Sequence, residues 1–226
     1  IIIITKKIMP IIINSFDKLF FSFIYYYVDI FKFLINFVLI QMKSLISIFG
    51  TKIKSLEILQ LLNNSKDVVR QGFFEEELEK VSKFCKQNNL VLIKSKFKVL
   101  PSDFNKTFSN KGMKVKSDDP RFGFIFVYIS KDELLAQKCA YFEIMNDHFN
   151  MGLTLNYPKC CSYFFARNFD VRSKLDNDYE IPVLQNSEKK EYPYFTNIFV
   201  REKDYCLINH FPCKLDCEKS IEIGKR

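Results

Sequence analysis

Between residues 67 and 88, in DVVRQGFFEEELEKVSKFCKQN, apolar side chains recur at Val69, Phe73, Leu78, Val81 and Phe84 or Cys85. They share roughly one helical face opposite an acidic run, so the spacing predicts an amphipathic helix over the whole segment. LVLIKSKFKVL, residues 90–100, predicts a strand ended by Pro101. Lys94, Lys96 and Lys98 alternate along it and so share one face, which reads as a solvated strand face. Residues 101–122, rich in Asn, Ser, Asp, Lys and Gly, read as a long loop. FGFIFVYI, 122–129, is apolar on both faces, which predicts a central strand. It runs into Ser130-Lys131-Asp132-Glu133, a capping-box pattern that opens a predicted helix of about twenty residues. Leu134, Leu135, Cys139, Phe142 and Met145 are its apolar positions.

The order helix, strand, loop, strand, helix predicts an α+β class: a small mixed sheet with packed helices, followed by a cysteine-rich C-terminal part. No internal repeat is visible, and six glycines leave little material for a phosphate-binding loop.

The first 41 residues follow another pattern. They are dominated by Ile, Phe and Tyr, and carry Lys6, Lys7, Lys18 and Lys32 against Asp17 and Asp29. Leu19 to Ile40 is long enough to span a bilayer, with Asp29 and Lys32 spaced to pair on a helix. Two other readings compete: a buried core helix, and AT-rich upstream sequence read in frame ahead of a natural start at Met42. At MKSLISIFG the composition changes to mixed polar and apolar, so the chain divides into a hydrophobic leader, 1–41, and a single α+β domain, 42–226. A membrane attachment is expected only if the leader helix is genuine; otherwise the expected setting is cytoplasmic.

With 48% hydrophobic and 27% charged residues, the composition is globular and excludes a disordered chain. The 25 Phe and 11 Tyr, with no Trp, fit the codon supply of an AT-rich genome, so no single Phe or Lys carries weight alone. A net charge of +8 permits contact with nucleic acid or anionic lipid and demonstrates neither. Seven cysteines without a cleavable secretory signal argue against a disulfide framework and toward metal binding or thiol chemistry.

Four of the seven cysteines and one of the two histidines fall in two short motifs. In NYPKCCSYFF, Pro158 predicts a helix start that puts Cys160 and Cys161 in its first turn. Free N–H groups and the helix dipole favour thiolate there, and Lys159 adds positive charge. In HFPCKLDCEKS, a helix beginning near Leu215 would hold Cys217 in its first turn, with Cys213 and His210 ahead of it. Thiolates with an imidazole suit zinc or an iron–sulfur cluster and suit magnesium or calcium poorly. The candidate metal ligands are therefore Cys160, Cys161, His210, Cys213 and Cys217; because adjacent cysteines seldom share one ion comfortably, a Cys3His set is expected. A thiol left free would make Cys160 or Cys161 a catalytic candidate, with His148 as an acid–base candidate and Glu143 and Asp147 as weaker ones. His148 is expected near the C-terminal end of the long helix, whereas Cys85 and Cys139 lie on apolar stripes and read as core.

YPKCC followed by aromatics, and then HFPCKLDCEKSIEIGKR, resembles the archaeal DUF483 family, whose members carry a GYPxCC-type motif and a later HxPCxxxCxxS motif. The resemblance covers roughly residues 130–226, and Asn156 stands where the family pattern has glycine. It implies a shared Cys/His centre and an archaeal cytoplasmic setting, and supplies no reaction. Three functions follow as expectations. The first is a metal- or cluster-binding protein acting on an unknown small-molecule or RNA substrate. The second is metal-free thiol redox or sulfur transfer through the vicinal cysteines. The third is a zinc-stabilised nucleic-acid-binding module.

Overall fold

Val69 and Phe73 lie four apart, a spacing that a helix and a strand both place on one face, and here the strand prevails. In the computed structural model, which describes residues 39–102, 111–175, 178–189 and 191–226, Val68–Phe74 is strand β1. The predicted helix over 67–88 is thus two elements: β1, then a 3-10 turn at Glu75–Glu77 leading into helix α2, Leu78–Gln87. The β-branched pair Val68-Val69 and the aromatic pair Phe73-Phe74 favour extended backbone, and Gly72 weakens a helix. A Cβ at Gly72 would also stand 3.0 Å from the Phe124 ring, a tight contact that the ring would have to yield to. The predicted face survives the change of element. Val69, Phe73, Leu78, Val81 and Cys85 all enter one buried core.

The sheet has four antiparallel strands in the order β1, β4, β2, β3, with β2 at Val91–Pro101, β3 at Gly112–Lys116 and β4 at Phe124–Ser130. β4 is central, as its two-faced apolar pattern predicted: it pairs with β1 from Val68↔Ser130 to Phe74↔Phe124, and with β2 on its other edge. Ile125, Val127 and Ile129 face a core formed with helix α1 (Lys52–Leu62), α2 and residues 45–49. Phe124, Phe126 and Tyr128 face a second core, formed with helix α3 (Glu133–Ile144) and helix α4 (His148–Thr154). Helices on both faces make the class α+β, as expected, but the sheet is antiparallel throughout the described residues rather than mixed.

Four further expectations change. The segment 101–122 contains β3, which pairs Gly112 to Lys116 with Pro101 to Phe97. The lysine face of β2 is not uniformly solvated, because the pairing with β4 slips between Lys94 and Lys98. That bulge turns Lys98 inward, where its ammonium meets Glu75 at 2.7 Å and the Asp119 carbonyl at 2.6 Å. The long helix after β4 is broken at Asn146, whose φ of 54° is left-handed, and restarts at His148. The cap of α3 is Asp132, whose Oδ1 accepts from the Leu134 and Leu135 amides; Ser130 instead donates its hydroxyl to the Asp67 carbonyl.

Beyond α4, helix α5 spans Lys159–Leu175, helix α6 Glu180–Gln185 and helix α7 Glu218–Lys225. A third, small core of Phe164, Val183, Ile198, Ile208 and Leu215 packs this C-terminal part together. Most of the expected leader helix, residues 19–38, lies outside the described residues. Among the described ones, no helix is long and apolar enough to cross a membrane.

Candidate metal centre

Asn156 takes φ 59°, a left-handed turn that asparagine tolerates as glycine does. Its side chain locks the turn to β1: Oδ1 accepts from the Asp67 amide at 2.8 Å, and Nδ2 donates to the Asp67 carboxylate at 2.7 Å. The chain then enters α5, with the Pro158 carbonyl accepting from the Ser162 amide at 2.9 Å. Cys160 and Cys161 therefore sit in the first turn of a helix, as the proline predicted. From the other side, Cys217 is the N-cap of α7, so this helix begins three residues later than Leu215. Its carbonyl accepts from the Ser220 and Ile221 amides.

These elements bring four thiols together. Sγ of Cys160, Cys161, Cys213 and Cys217 all lie within 4.8 Å of one another. Cys160 to Cys161 is 3.9 Å, Cys160 to Cys217 is 3.8 Å and Cys161 to Cys217 is 3.7 Å. The neighbouring pair thus contributes both sulfurs to one cluster. The Cys213 amide donates to Cys161 Sγ at 3.3 Å, a bond that stabilises a thiolate. Hydrogen bonds from Cys161 and Cys213 pull the Cys217 thiol far below its ordinary range, whereas the same contacts and burial push Cys161 up. Cys213 is likewise pushed up to about 12, so Cys217 carries the thiolate while Cys161 and Cys213 give up their protons only to a bound cation.

The other cysteines contrast with these four. Burial pushes Cys85 and Cys206 up to about 11 and Cys139 to about 12, so they stay protonated as core residues. Cys85 and Cys139 sit where their apolar stripes predicted.

His210 is buried and stands one atom behind the thiols: its Nε2 lies 2.8 Å from Ser220 Oγ, which is 3.2 Å from Cys161 Sγ. Ser220, the final residue of the second motif, was legible there as a polar position without an assigned role. Tyr157 packs on the imidazole at 5.0 Å. Burial holds His210 down at about 3, against 6.5 for a free histidine. A depressed base stabilises the fold fully above the unfolded value and loses that contribution as pH falls from 6.5 toward 3. Between pH 6.5 and 5 this group alone should cost about 2 kcal/mol. Urea unfolding of the native chain should show that slope, and His210→Gln should lack it.

His148 lies at the start of α4, not near the end of a helix. There the dipole disfavours a cation, and burial is the largest cause lowering its pKa. Its ring packs 3.6 Å from that of Phe169 and lines the same cavity as Cys161 and His210. Asp147 is the α4 N-cap, accepting from the Asn150 amide at 3.0 Å. Glu143 is buried in an ion pair with Arg70, whose Nε donates at 2.6 Å, and accepts from Tyr128 Oη at 2.6 Å. Neither Arg70 nor Tyr128 carried a sequence signal, because no motif connects β1, β4 and α3.

Long-range polar bonds hold the C-terminal loops around the centre. Asn186 Nδ2 donates to the Cys213 carbonyl at 3.1 Å, the Leu215 amide to Ser187 Oγ at 2.9 Å, and Thr196 Oγ1 to the Leu215 carbonyl at 2.5 Å. Asp204 caps α1 from this region, its carboxylate accepting from the Lys52 and Ile53 amides. Compared with family models, curated proteins and solved structures, the chain has no match.

Proposed function

We infer that Cys160, Cys161, Cys213 and Cys217 together hold one tetrahedral metal ion of the zinc type. The observation that carries this reading is the 3.7–3.9 Å spacing of three sulfur pairs, with all four sulfurs within 4.8 Å of one another. A metal–sulfur bond of about 2.3 Å gives a tetrahedron with edges of about 3.8 Å. In a four-iron cluster each thiolate takes its own iron, so the sulfurs stand further apart, which favours a single ion. Four protein ligands leave such an ion no open position, so its role is to hold the chain together. It joins the first turn of α5 to the residues entering α7, more than fifty positions away. Among the described residues, what lies between the end of α5 and α7 is one six-residue helix, two short 3-10 turns and a small core. Such a stretch is too poor in buried apolar surface to hold its place by packing alone. The YPKCC and HFPCKLDC motifs that carry the resemblance to the archaeal DUF483 family supply all four thiols, and membership of that family is part of this proposal.

Elemental analysis and an absorption spectrum of protein purified without oxygen test the reading. About one zinc per chain and no visible colour is the expected result. Cobalt substituted for it should give the intense visible bands of a tetrahedral thiolate site. Iron with acid-labile sulfide would replace the single ion by a cluster, and absence of any metal would overturn the assignment.

A further inference from the structure

The four thiols of the centre differ in their access to solvent. Cys161 and Cys217 are buried and Cys213 is half-buried, whereas Cys160, in the first turn of α5, is exposed. Oxidation of cysteine follows thiolate character and exposure. On a bound cation all four sulfurs are deprotonated, so exposure is what ranks them. A dissolved oxidant therefore meets Cys160 first.

The next step depends on which sulfur can reach the oxidised one. Cys161 Sγ is 3.9 Å away, but Cys161 is the following residue of the same helix. Consecutive Cα atoms across a trans peptide stand about 3.8 Å apart, closer than the roughly 4.4–6.8 Å that a disulfide spans. Closing that pair would distort the first turn of α5. Cys217 comes from a distant segment, with its sulfur 3.8 Å from that of Cys160. As the N-cap of α7 it has extended backbone, so the rotamer restriction inside a helix does not apply to it. Bonding distance is about 2.05 Å, so the two sulfurs need to approach by less than about 2 Å.

We propose that Cys160 and Cys217 form a peroxide-responsive switch, which closes as a disulfide and expels the metal ion. This inference rests on the metal centre inferred above. The Cys160 thiolate attacks one peroxide oxygen and the O–O bond breaks; hydroxide leaves, takes a proton and becomes water, and Cys160 carries a sulfenic acid. The Cys217 thiolate then attacks Cys160 Sγ. The S–S bond forms, the S–O bond breaks, and a second hydroxide leaves and is protonated to water. The two thiolates lose two electrons in all, and the peroxide gains them. Cys161 and Cys213 alone do not complete a tetrahedron, so the ion dissociates. The bridge keeps α5 tied to the start of α7, while Cys213 loses its anchor on the ion and keeps the bond from Asn186 to its carbonyl. A thiol reductant reopens the bridge by exchange, and zinc binds again.

The test counts zinc in the reduced chain first; a chain without metal sinks the centre itself before any oxidant is added. Hydrogen peroxide is then titrated in, zinc release is followed with a chromogenic chelator, and free thiols are counted. Unreduced peptides are mapped by mass spectrometry. About one zinc should leave for every two thiols lost, with Cys160 bridged to Cys217, and dithiothreitol with added zinc should restore the start. Cys160→His keeps an imidazole on the ion and removes the reactive sulfur, so it should release zinc at least about tenfold more slowly. Cys213→His leaves both bridging partners in place and should release zinc at the native rate. Should neither variant load zinc, the peptide map of the native chain decides. Zinc retained in about tenfold excess of peroxide overturns the switch and leaves the metal centre standing. So does release with Cys160 unbridged as a sulfinic acid, or with a bridge to Cys161 or Cys213.

Discussion

Cys217→Ser should lower bound metal from about one ion per chain to less than a tenth, and loosen everything between α5 and the C-terminus. The serine hydroxyl is a far poorer ligand for a soft site, and the remaining thiols cannot complete a tetrahedron. The structural consequence is large because such an ion contributes directly to folding. Zinc bound by small thiolate sites is worth on the order of 10 kcal/mol, of which a long flexible segment returns part as ordering entropy. Hydrogen exchange should therefore rise in residues 186–217 while amides of β1 and β4 stay protected, since their core packs independently of the thiols. Cys213→Ser should behave alike. Cys85→Ser is the control: it leaves a hydroxyl in the apolar core, costs about 1–3 kcal/mol and keeps the metal. Unaltered metal content in both motif variants would show that the cluster is not a ligand set.

The second large effect is expected at the buried carboxylate behind the sheet. Glu143→Gln removes the charge facing Arg70, which stacks its guanidinium 3.6 Å from the centre of the Phe126 ring and is partly buried. The cation is then left without its counter-charge, and the Tyr128 hydroxyl loses a charged acceptor. Breaking one side of a buried pair costs about 3–5 kcal/mol, here a fall of roughly 10 °C or more in Tm. The pH dependence carries a sign that can be checked. Burial by itself would raise the Glu143 pKa, but Arg70 outweighs it and holds the group below its ordinary 4.5. Stability from the pair is therefore complete above the unfolded carboxylate range and declines as pH falls through the lower folded value. Thermal unfolding of the native chain and of Glu143→Gln should converge in acid. A double variant, Arg70→Met with Glu143→Leu, should recover much of the loss, because two apolar groups leave no stranded charge.

Both predictions concern groups of different legibility. The thiols were visible because cysteine chemistry is carried by residue type and short spacing: an adjacent pair after Pro158, and a pair four apart after His210. The Arg70–Glu143 pair was not, since it joins residues 73 apart: Glu143 stood out only as a weak acid–base candidate near His148, and nothing tied it to Arg70 before the chain folds.

From the sequence alone came the α+β class, the central β4 and the core roles of Cys85 and Cys139, because hydrophobic periodicity and side-chain volume act locally. It also identified the two motifs that supply the thiols. What it left undecided turned on competition between local and distant interactions. Val69 and Phe73 satisfy helix and strand alike, and the ladder with β4 chose the strand. A bulge against β4 turned Lys98 inward, and a left-handed Asn146 divided the helix that α3 begins. Tertiary structure also joined both adjacent cysteines to Cys213 and Cys217 and set His210 behind them on Ser220. The physical reason is common to these cases: residue type and spacing fix what a side chain can do, but its partner is decided by hydrogen bonds and packing between segments far apart in the chain.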